Sequence, residues 1–172
     1  HALDCAVLGD VKLVLQQLIE EAKRQEGPRG RPRNEVLARE IKAAKEEWQR
    51  QWMPKLTSEE VPINPYRVIR DLMHTVDRAS TIVTHDSGNP RDQLTPFYEV
   101  TAPKGYIGWG NSTQLGYSLG ISIGAKLAAP DKTVVHLMGD AAIGMVGLDL
   151  ESAVRAQAPI ITIVLNNGLM GG

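Results

Sequence analysis

Two short polar segments, each directly after an apolar run, are the residues in this sequence best suited to chemistry. Gly139-Asp140-Ala141-Ala142 follows Thr133 to Met138, and Asn166-Asn167-Gly168 follows Ile160 to Leu165. If both runs are strands joined through a helix, a right-handed βαβ connection makes them parallel. Both polar segments then leave at the same carboxyl edge, about 4.8 Å apart when the strands are neighbours. Asp140 and Asn167 address one small object in that arrangement. A carboxylate and an amide oxygen are hard ligands suited to Mg2+ or Ca2+, with the remaining positions open to a backbone carbonyl, water or a phosphate oxygen. The small Ala141 and Ala142 let backbone N–H groups come close to an anion before the next helix begins. Taken singly, Gly-Asp reads as a turn and Asn-Asn as a strand terminator. Paired at this spacing, they read as a site for a metal and a diphosphate.

The elements that must position this pair alternate along the second half of the chain. A strand over Ser80 to Thr84 is followed by a Gly-rich stretch from Gly105 to Gly110 and a helix from about Ser112 to Ala128. A strand over Thr133 to Met138, a helix over Leu148 to Ala156 and a strand over Ile160 to Leu165 complete the series. Such alternation predicts an α/β fold, a parallel sheet with crossover helices. Gly116, Gly120 and Gly124 recur every fourth residue, so a groove of glycine is expected along the helix, with a neighbouring element packed closely against it. Lys126, Gln114 and the serines make this segment too polar to span a membrane.

The first third reads differently. Ala6-Val7-Leu8 is a short apolar run expected as a strand, and Gly9-Asp10 offers a turn and an N-cap. Val11, Val14, Leu15, Leu18, Ile19 and Ala22 then lie on one helix face. Gly27 to Arg33 is a linker by composition, and its arginines read as solvated rather than as a phosphate site. Asn34 caps a second helix with Leu37, Ile41, Ala44, Trp48 and Trp52 on one stripe, and Pro54 is expected to stop it. The tryptophans read as packing residues. Asn64-Pro65 begins a third helix carrying Ile69, Leu72, Met73 and Val76.

Composition bounds the alternatives. The 172 residues hold 19 Lys plus Arg against 20 Asp plus Glu, a net charge of -1, which disfavours nucleic acid or an anionic membrane as a partner. A hydrophobic share of 42% and a charged share of 23% are those of a globular protein. One cysteine, Cys5, allows no internal disulfide, and no secretion signal or membrane span is visible, so the cytoplasm is the expected compartment. The chain opens on His1 rather than Met and closes just after an apolar strand, which is the pattern expected of a piece of a longer protein. His74 and His136 lack partners at metal-ligand spacing and read as structural, whereas His85 could face the site or pack. Glu151 and Arg155 read as a solvated i,i+4 pair. Neither a Gly-x-x-x-x-Gly-Lys-Ser/Thr loop nor a Gly-x-Gly-x-x-Gly turn after a strand is present, which weakens a plain nucleotide-binding reading.

The pairing of Gly139-Asp140-Ala141 with Asn166-Asn167 resembles the fingerprint of thiamine diphosphate-dependent enzymes, in which Gly-Asp-Gly is followed at a set distance by Asn-Asn. The run Gly110-Asn111-Ser112-Thr113-Gln114-Leu115-Gly116-Tyr117-Ser118-Leu119-Gly120, with Ile123-Gly124-Ala125, is similar to the stretch before that fingerprint in acetolactate synthase-like members. Asp86-Ser87-Gly88-Asn89 matches the loop that meets the diphosphate in these enzymes, and the resemblance covers about Asn64 to Gly172. A weaker likeness places His1 to Lys23, around Leu8-Gly9-Asp10-Val11-Lys12, at the end of the family's middle domain. The implied organisation is the end of a middle domain over 1–26, a linker with a helix over 27–63, and a C-terminally incomplete diphosphate-binding domain over 64–172. Two departures stand out. Asn89-Pro90 occupies the place of the family's Gln-His pair, and Ala141 the place of the third glycine.

The resemblance implies thiamine diphosphate and Mg2+ as cofactors, with Asp140, Asn167 and the carbonyl of Leu169 holding the metal. Gly88, Asn89, Gly139, Ala141 and Ala142 would complete the cofactor-binding set. Leu115 would be the apolar wedge that bends the cofactor, or else an ordinary core residue. The implied reaction is decarboxylation and carboligation of a 2-oxo acid or related small molecule, as in acetolactate synthase. Alternatives are another decarboxylase or C–C hydrolase of the oxalyl-CoA or benzoylformate type, or a non-catalytic cofactor-binding domain. The family's activating glutamate belongs to a domain this chain does not match, so no catalytic residue is assigned. The complete protein is expected as a homo-oligomer, a dimer or tetramer, and the chain alone is expected to be inactive.

Overall fold

The computed structural model describes residues 3–110 and 114–170. The chain divides into two compact units, His1–Gln51 and Trp52–Gly172.

In the first unit, helix α1 (Val11–Glu26) is capped by Asp10, whose Oδ1 accepts from Leu13 N at 3.0 Å. None of its residues is buried, and Leu15, Leu18 and Ile19 are each 53% exposed. Its apolar stripe therefore lacks a covering element among the described residues of this unit. Ala6-Val7-Leu8 forms no strand, contrary to the sequence reading. A strand exists only by pairing its N–H and C=O groups with a neighbour, and the described residues of this unit contain no other strand. Helix α2 (Glu35–Leu56) starts as expected, with Leu37 N donating to Asn34 Oδ1 at 3.0 Å. Pro54 lies inside its last turn rather than ending it. Proline removes one N–H there, and Thr57 N still reaches Met53 O at 3.0 Å, so the turn closes around it.

The second unit opens with the last residues of α2, from Trp52, and continues with α3 (Pro65–Thr75), capped by Asn64 through Tyr66 N at 3.0 Å. Then come β1 (Thr81–His85), α4 (Asn89–Leu94), β2 (Tyr106–Ile107), α5 (Tyr117–Ala128) and β3 (Thr133–Gly139). The series ends with α6 (Asp140–Val146), a 3-10 turn over Gly147–Asp149, α7 (Leu150–Arg155) and β4 (Ile161–Leu165). The sheet order is β2-β1-β3-β4, and every neighbouring pair is parallel. The α/β parallel sheet with crossover helices is thus the fold of this unit.

Burial explains why these runs are strands. All five residues of β1 and Val134 through Met138 of β3 are buried, the continuous pattern of a sheet covered on both faces. Ile82, Ala125 and Val134 form one cluster, with Ile107, Ala129 and Ile160 packed around it. Trp52, Tyr66 and Phe97 form a second, with ring centroids 5.0 to 5.2 Å apart. The Trp52 packing role follows the sequence reading.

Three local expectations differ from the structure. Helix α6 begins at Asp140 itself, so Ala141 and Ala142 sit inside its first turn, and the single helix expected over Leu148 to Ala156 is a turn plus α7. Gly144 and Gly147 weaken the helical signal of this stretch at the sequence level. Helix α5 begins at Tyr117, after Gly116 with φ 86°, while Ser112, the expected start, lies outside the described residues. The expected close approach to the glycine groove is found at Gly116, where an added Cβ would lie 2.5 Å from Val146 Cγ1, whereas at Gly120 and Gly124 it would meet nothing within 4 Å among the described residues. No helix among the described residues is long and apolar enough to cross a membrane.

Candidate functional site

The strand order places a change of direction beside β1. From β1 the chain goes to β2 on one side, then crosses back through α5 to β3 on the other. In open α/β sheets a crevice forms outside the carboxyl ends of strands at such a point. The β1–β3 register ends with His85 opposite Leu137, and the β3–β4 register ends with Gly139 opposite Leu165. Asp86–Asn89, Asp140–Ala142 and Asn166–Leu169 therefore leave three strands at one edge.

A cavity of about 340 Å³ occupies this edge. The structure brings to it all nine residues nominated from sequence: Gly88, Asn89, Leu115, Gly139, Asp140, Ala141, Ala142, Asn167 and Leu169. Ser87, Pro90, Asp92, Leu165 and Met170 also line it and were not singled out. Gly88 (φ 75°) stands before α4, Gly116 (φ 86°) before α5 and Gly139 before α6, and none of the three helices has a side-chain cap. Leading amides without side-chain acceptors are free to meet an anion. Ala141 does not have a positive φ, so alanine sits without strain at the position where the resemblance has glycine.

The charges of the lining are informative. Among the described residues Asp140 and Asp92 are its ionisable groups, and no Lys, Arg or His lines the cavity. Arg91 pairs with Asp92 at 2.7 Å, whereas Asp140 has neither hydrogen-bond nor ion-pair partner among the described residues. A diphosphate cannot occupy a cavity beside an unpaired carboxylate without a cation between them. The donors available for that cation are the Asp140 carboxylate, the Asn167 Oδ1 and the backbone carbonyl of Leu169, all hard oxygens suited to Mg2+. Asn167 Oδ1 accepts from Leu169 N at 3.0 Å, and Asn166 Oδ1 from Gly168 N at 3.2 Å. Each amide oxygen retains a second lone pair, and the turn holds Asn167 in place. Among the described residues no group of three His, Cys, Asp or Glu could hold a metal, so a metal here depends on amide, carbonyl and ligand oxygens.

Next to the cavity lies a buried polar chain that sequence reasoning missed. Asp86, Ser118 and His136 are fully buried. The Asp86 carboxylate accepts from Ser87 N at 2.8 Å, from Gly116 N at 3.1 and 3.0 Å on its two oxygens, and from the Ser118 hydroxyl. Ser118 has one proton and gives it to Asp86. Across the 2.6 Å contact between Ser118 Oγ and His136 Nε2, the ring must therefore donate. His136 Nδ1 is left to accept from Thr162 Oγ1 at 3.4 Å. Burial pushes the His136 pKa down to about 4, against a smaller opposing pull from Asp86, so the ring is neutral at pH 7. No sequence spacing could reveal this chain, because its members sit on β1, α5, β3 and β4.

His85 does not line the cavity. Its Nδ1 lies 3.1 Å from Asp86 O, its ring stacks near Tyr106 at 5.3 Å, and a Cβ at Gly108 would overlap its Nε2. Burial lowers its pKa. It is a packed histidine rather than one facing the site. His74 Nδ1 contacts Arg70 O at 2.7 Å within α3, and Glu151–Arg155 is an exposed pair at 2.7 Å.

A parallel sheet with a switch-point cavity and an acidic, cation-demanding lining defines an α/β domain built for a phosphorylated cofactor. The family model "Thiamine pyrophosphate enzyme, C-terminal TPP binding domain" matches residues 86–172, and the chain belongs to this family. Thiamine pyrophosphate and thiamine diphosphate are the same compound. Among curated proteins the chain is 27% identical to the acetolactate synthase isozyme 3 large subunit of Escherichia coli strain K12, over 98% of this chain and 28% of that protein. It is 30% identical to the 2-hydroxyacyl-CoA lyase of Arabidopsis thaliana, over 94% of this chain and 28% of the relative. A protein of Methanococcus aeolicus named "Probable acetolactate synthase large subunit" is 23% identical over 98% of this chain and 29% of its own length. The chain thus spans under a third of the length of the relatives it matches.

Proposed function

We propose that this chain is the diphosphate-binding part of an enzyme that decarboxylates a 2-oxo acid and joins the product to an acceptor, as the name acetolactate synthase describes for its relatives. In this reading Mg2+ sits on Asp140, Asn167 and the Leu169 carbonyl and carries the diphosphate into the switch-point cavity. Gly88, Asn89, Gly139, Ala141 and Ala142 offer backbone and amide groups to the same ligand, and Leu115 lies against its apolar part. When bound, thiamine diphosphate would supply a carbon nucleophile and, in its cationic thiazolium ring, an acceptor for the electron pair released by C–C cleavage. This chain's residues bind and orient; the proton-transferring group belongs to another domain. Residues 1–26 would end a middle domain, 27–63 would link it, and 64–172 would form the cofactor domain of a homo-oligomer.

The unpartnered Asp140 carboxylate, in a cavity whose lining contains no cationic side chain, carries this reading. A second reading has its own support. The 30% identity to a 2-hydroxyacyl-CoA lyase, together with Asn89-Pro90 where the resemblance has Gln-His, favours C–C cleavage of a 2-hydroxyacyl or related CoA ester as the alternative. Calorimetry on the full-length protein separates binding from chemistry. Thiamine diphosphate should bind only with Mg2+, and Asp140→Ala should abolish that binding in a folded protein. Unchanged affinity would remove Asp140 from the metal set. Turnover of pyruvate against a 2-hydroxyacyl-CoA then selects the reaction.

A further inference from the structure

Asp86 is a fully buried carboxylate with no cation at its side, and it does not line the cavity. Its hydrogen bonds nevertheless run to both sides of two cavity-lining segments. Oδ1 accepts from Ser87 N, the residue before Gly88, and both oxygens accept from Gly116 N, the residue after Leu115. Its own N–H donates to Leu137 O at 2.8 Å, which ties the end of β1 to β3. Gly116 can only be glycine: its φ is 86°, and a Cβ there would lie 2.5 Å from Val146 Cγ1. The backbone at Leu115 is therefore held by one carboxylate, and the same carboxylate holds the turn that presents Gly88.

Burying an ionised carboxylate costs several kcal/mol unless donors replace its water. A cheaper neutral residue would serve if filling space were the only demand. Two backbone donors making three contacts with the two oxygens, Ser87 N and Gly116 N from segments about thirty positions apart, are what a clamp requires. The Ser118 hydroxyl fixes the carboxylate's orientation, and the His136 ring fixes Ser118 from the far side.

We infer that Asp86 is a positioning residue that sets the spacing between the Gly88 turn and Leu115, with Ser118 and His136 orienting its carboxylate. What this spacing serves rests on the cofactor reading above; the clamp itself does not. The geometry also predicts which substitution it tolerates. In Asp86→Asn, Oδ1 can keep Ser87 N and Gly116 N, while the new NH2 donates to Ser118 Oγ. Ser118 then donates to His136 Nε2, and the ring moves its proton to Nδ1 facing Thr162. The relay can run in either direction, so asparagine keeps every link except the Gly116 N bond to the second oxygen, and alanine keeps none.

The test uses the full-length protein with Asp86→Ala, Asp86→Asn and Ser118→Ala. Two quantities are measured: hydrogen exchange of the peptides spanning 86–90 and 114–119 without cofactor, and the Kd for thiamine diphosphate with Mg2+. Asp86→Ala should speed exchange in both peptides at least tenfold and weaken cofactor binding at least tenfold. Asp86→Asn should restore most of both, and 15N NMR of His136 should report the tautomer change from Nε2–H to Nδ1–H. Should Asp86→Ala fail to fold, Ser118→Ala removes one donor only and should raise exchange in the 114–119 peptide about threefold. Unchanged exchange in both peptides of a folded Asp86→Ala protein, or in the Ser118→Ala peptide if that variant has to be used, overturns the clamp. Absence of cofactor binding by the unsubstituted protein would instead overturn the cofactor reading, while the exchange data still decide the clamp.

Discussion

Asp140 and Asp86 each follow a central strand of the same sheet, β3 and β1, and they are used in opposite ways. Asp86 is fully buried and has donors on both oxygens, whereas Asp140 is partly exposed at the cavity and has no partner in the described chain. A saturated carboxylate has nothing left to offer a ligand; an unsaturated one at a cavity wall keeps its oxygens available to one. The β3–β4 wall thus keeps its polar atoms available, and the β1–α5 wall spends them on holding the backbone still. In the proposed reading, the difference divides this site into a face that binds and a face that supports.

The sharpest way to break this division is to neutralise Asp140 while keeping its shape. Asp140→Asn should weaken Mg2+-dependent thiamine diphosphate binding in the full-length protein at least 100-fold, about 3 kcal/mol, with an unchanged Tm. Calorimetry and a thermal melt on one preparation check both halves. A fall in Tm with normal affinity would move Asp140 to the supporting face.

The supporting face should reveal itself through pH instead. His136 in the folded protein protonates at about 4 rather than 6.5 because burial disfavours the imidazolium. Between those values the unfolded chain takes up a proton that the folded chain refuses, so stability falls as pH drops from 6.5 toward 4 and the loss levels off below. The size is on the order of 3 kcal/mol. Urea unfolding at pH 7 and pH 4.5 measures it, and His136→Gln should flatten the slope relative to the unsubstituted protein. An equal slope in both proteins would mean that His136 carries no such penalty.

Leu115 tests the boundary between the two faces, since it lines the cavity while its neighbour Gly116 belongs to the clamp. Leu115→Ala leaves the backbone bond from Gly116 N intact and removes only apolar contact. Turnover should fall about tenfold, about 1.4 kcal/mol, with less than a threefold change in cofactor Kd. A loss confined to stability would make Leu115 an ordinary packing residue.

The two faces also differ in how far the sequence exposed them. Asp140 and Asn167 were legible because each follows its strand directly, so period and turn chemistry alone place them at one edge. The parallel sheet was legible because β1 and β3 are short runs rich in β-branched residues that alternate with helical stretches. The clamp was not, since Asp86, Ser118 and His136 come together only through the strand order, and His136 within an apolar run looks like any packed residue. Asn89-Pro90 opening α4 passed as loop because a six-residue helix has no period to detect. Ala6-Val7-Leu8 had strand composition but no strand to pair with, and composition cannot supply a partner. The glycine stripe of α5 promised a close neighbour, and among the described residues it has one, Val146, at Gly116 but none at Gly120 or Gly124.

The smallest effect should come from the twin asparagines, and it sharpens the binding face to a single residue. Asn166 and Asn167 are adjacent, both exposed, and each accepts a backbone N–H two residues ahead, at 3.2 and 3.0 Å. Their local chemistry is therefore nearly the same, yet only Asn167 lines the cavity. If the turn were all that mattered, alanine at either position would cost the same. If Asn167 Oδ1 also binds the metal, Asn167→Ala should weaken cofactor binding about threefold to tenfold, the smaller end being set by water taking the vacant position. Asn166→Ala should change it less than twofold, because its turn is exposed and Gly168, at φ 68°, already prefers the bend. Titration of both variants with Mg2+ at fixed thiamine diphosphate reads the difference directly, and equal losses in the two would reduce Asn167 to a turn residue.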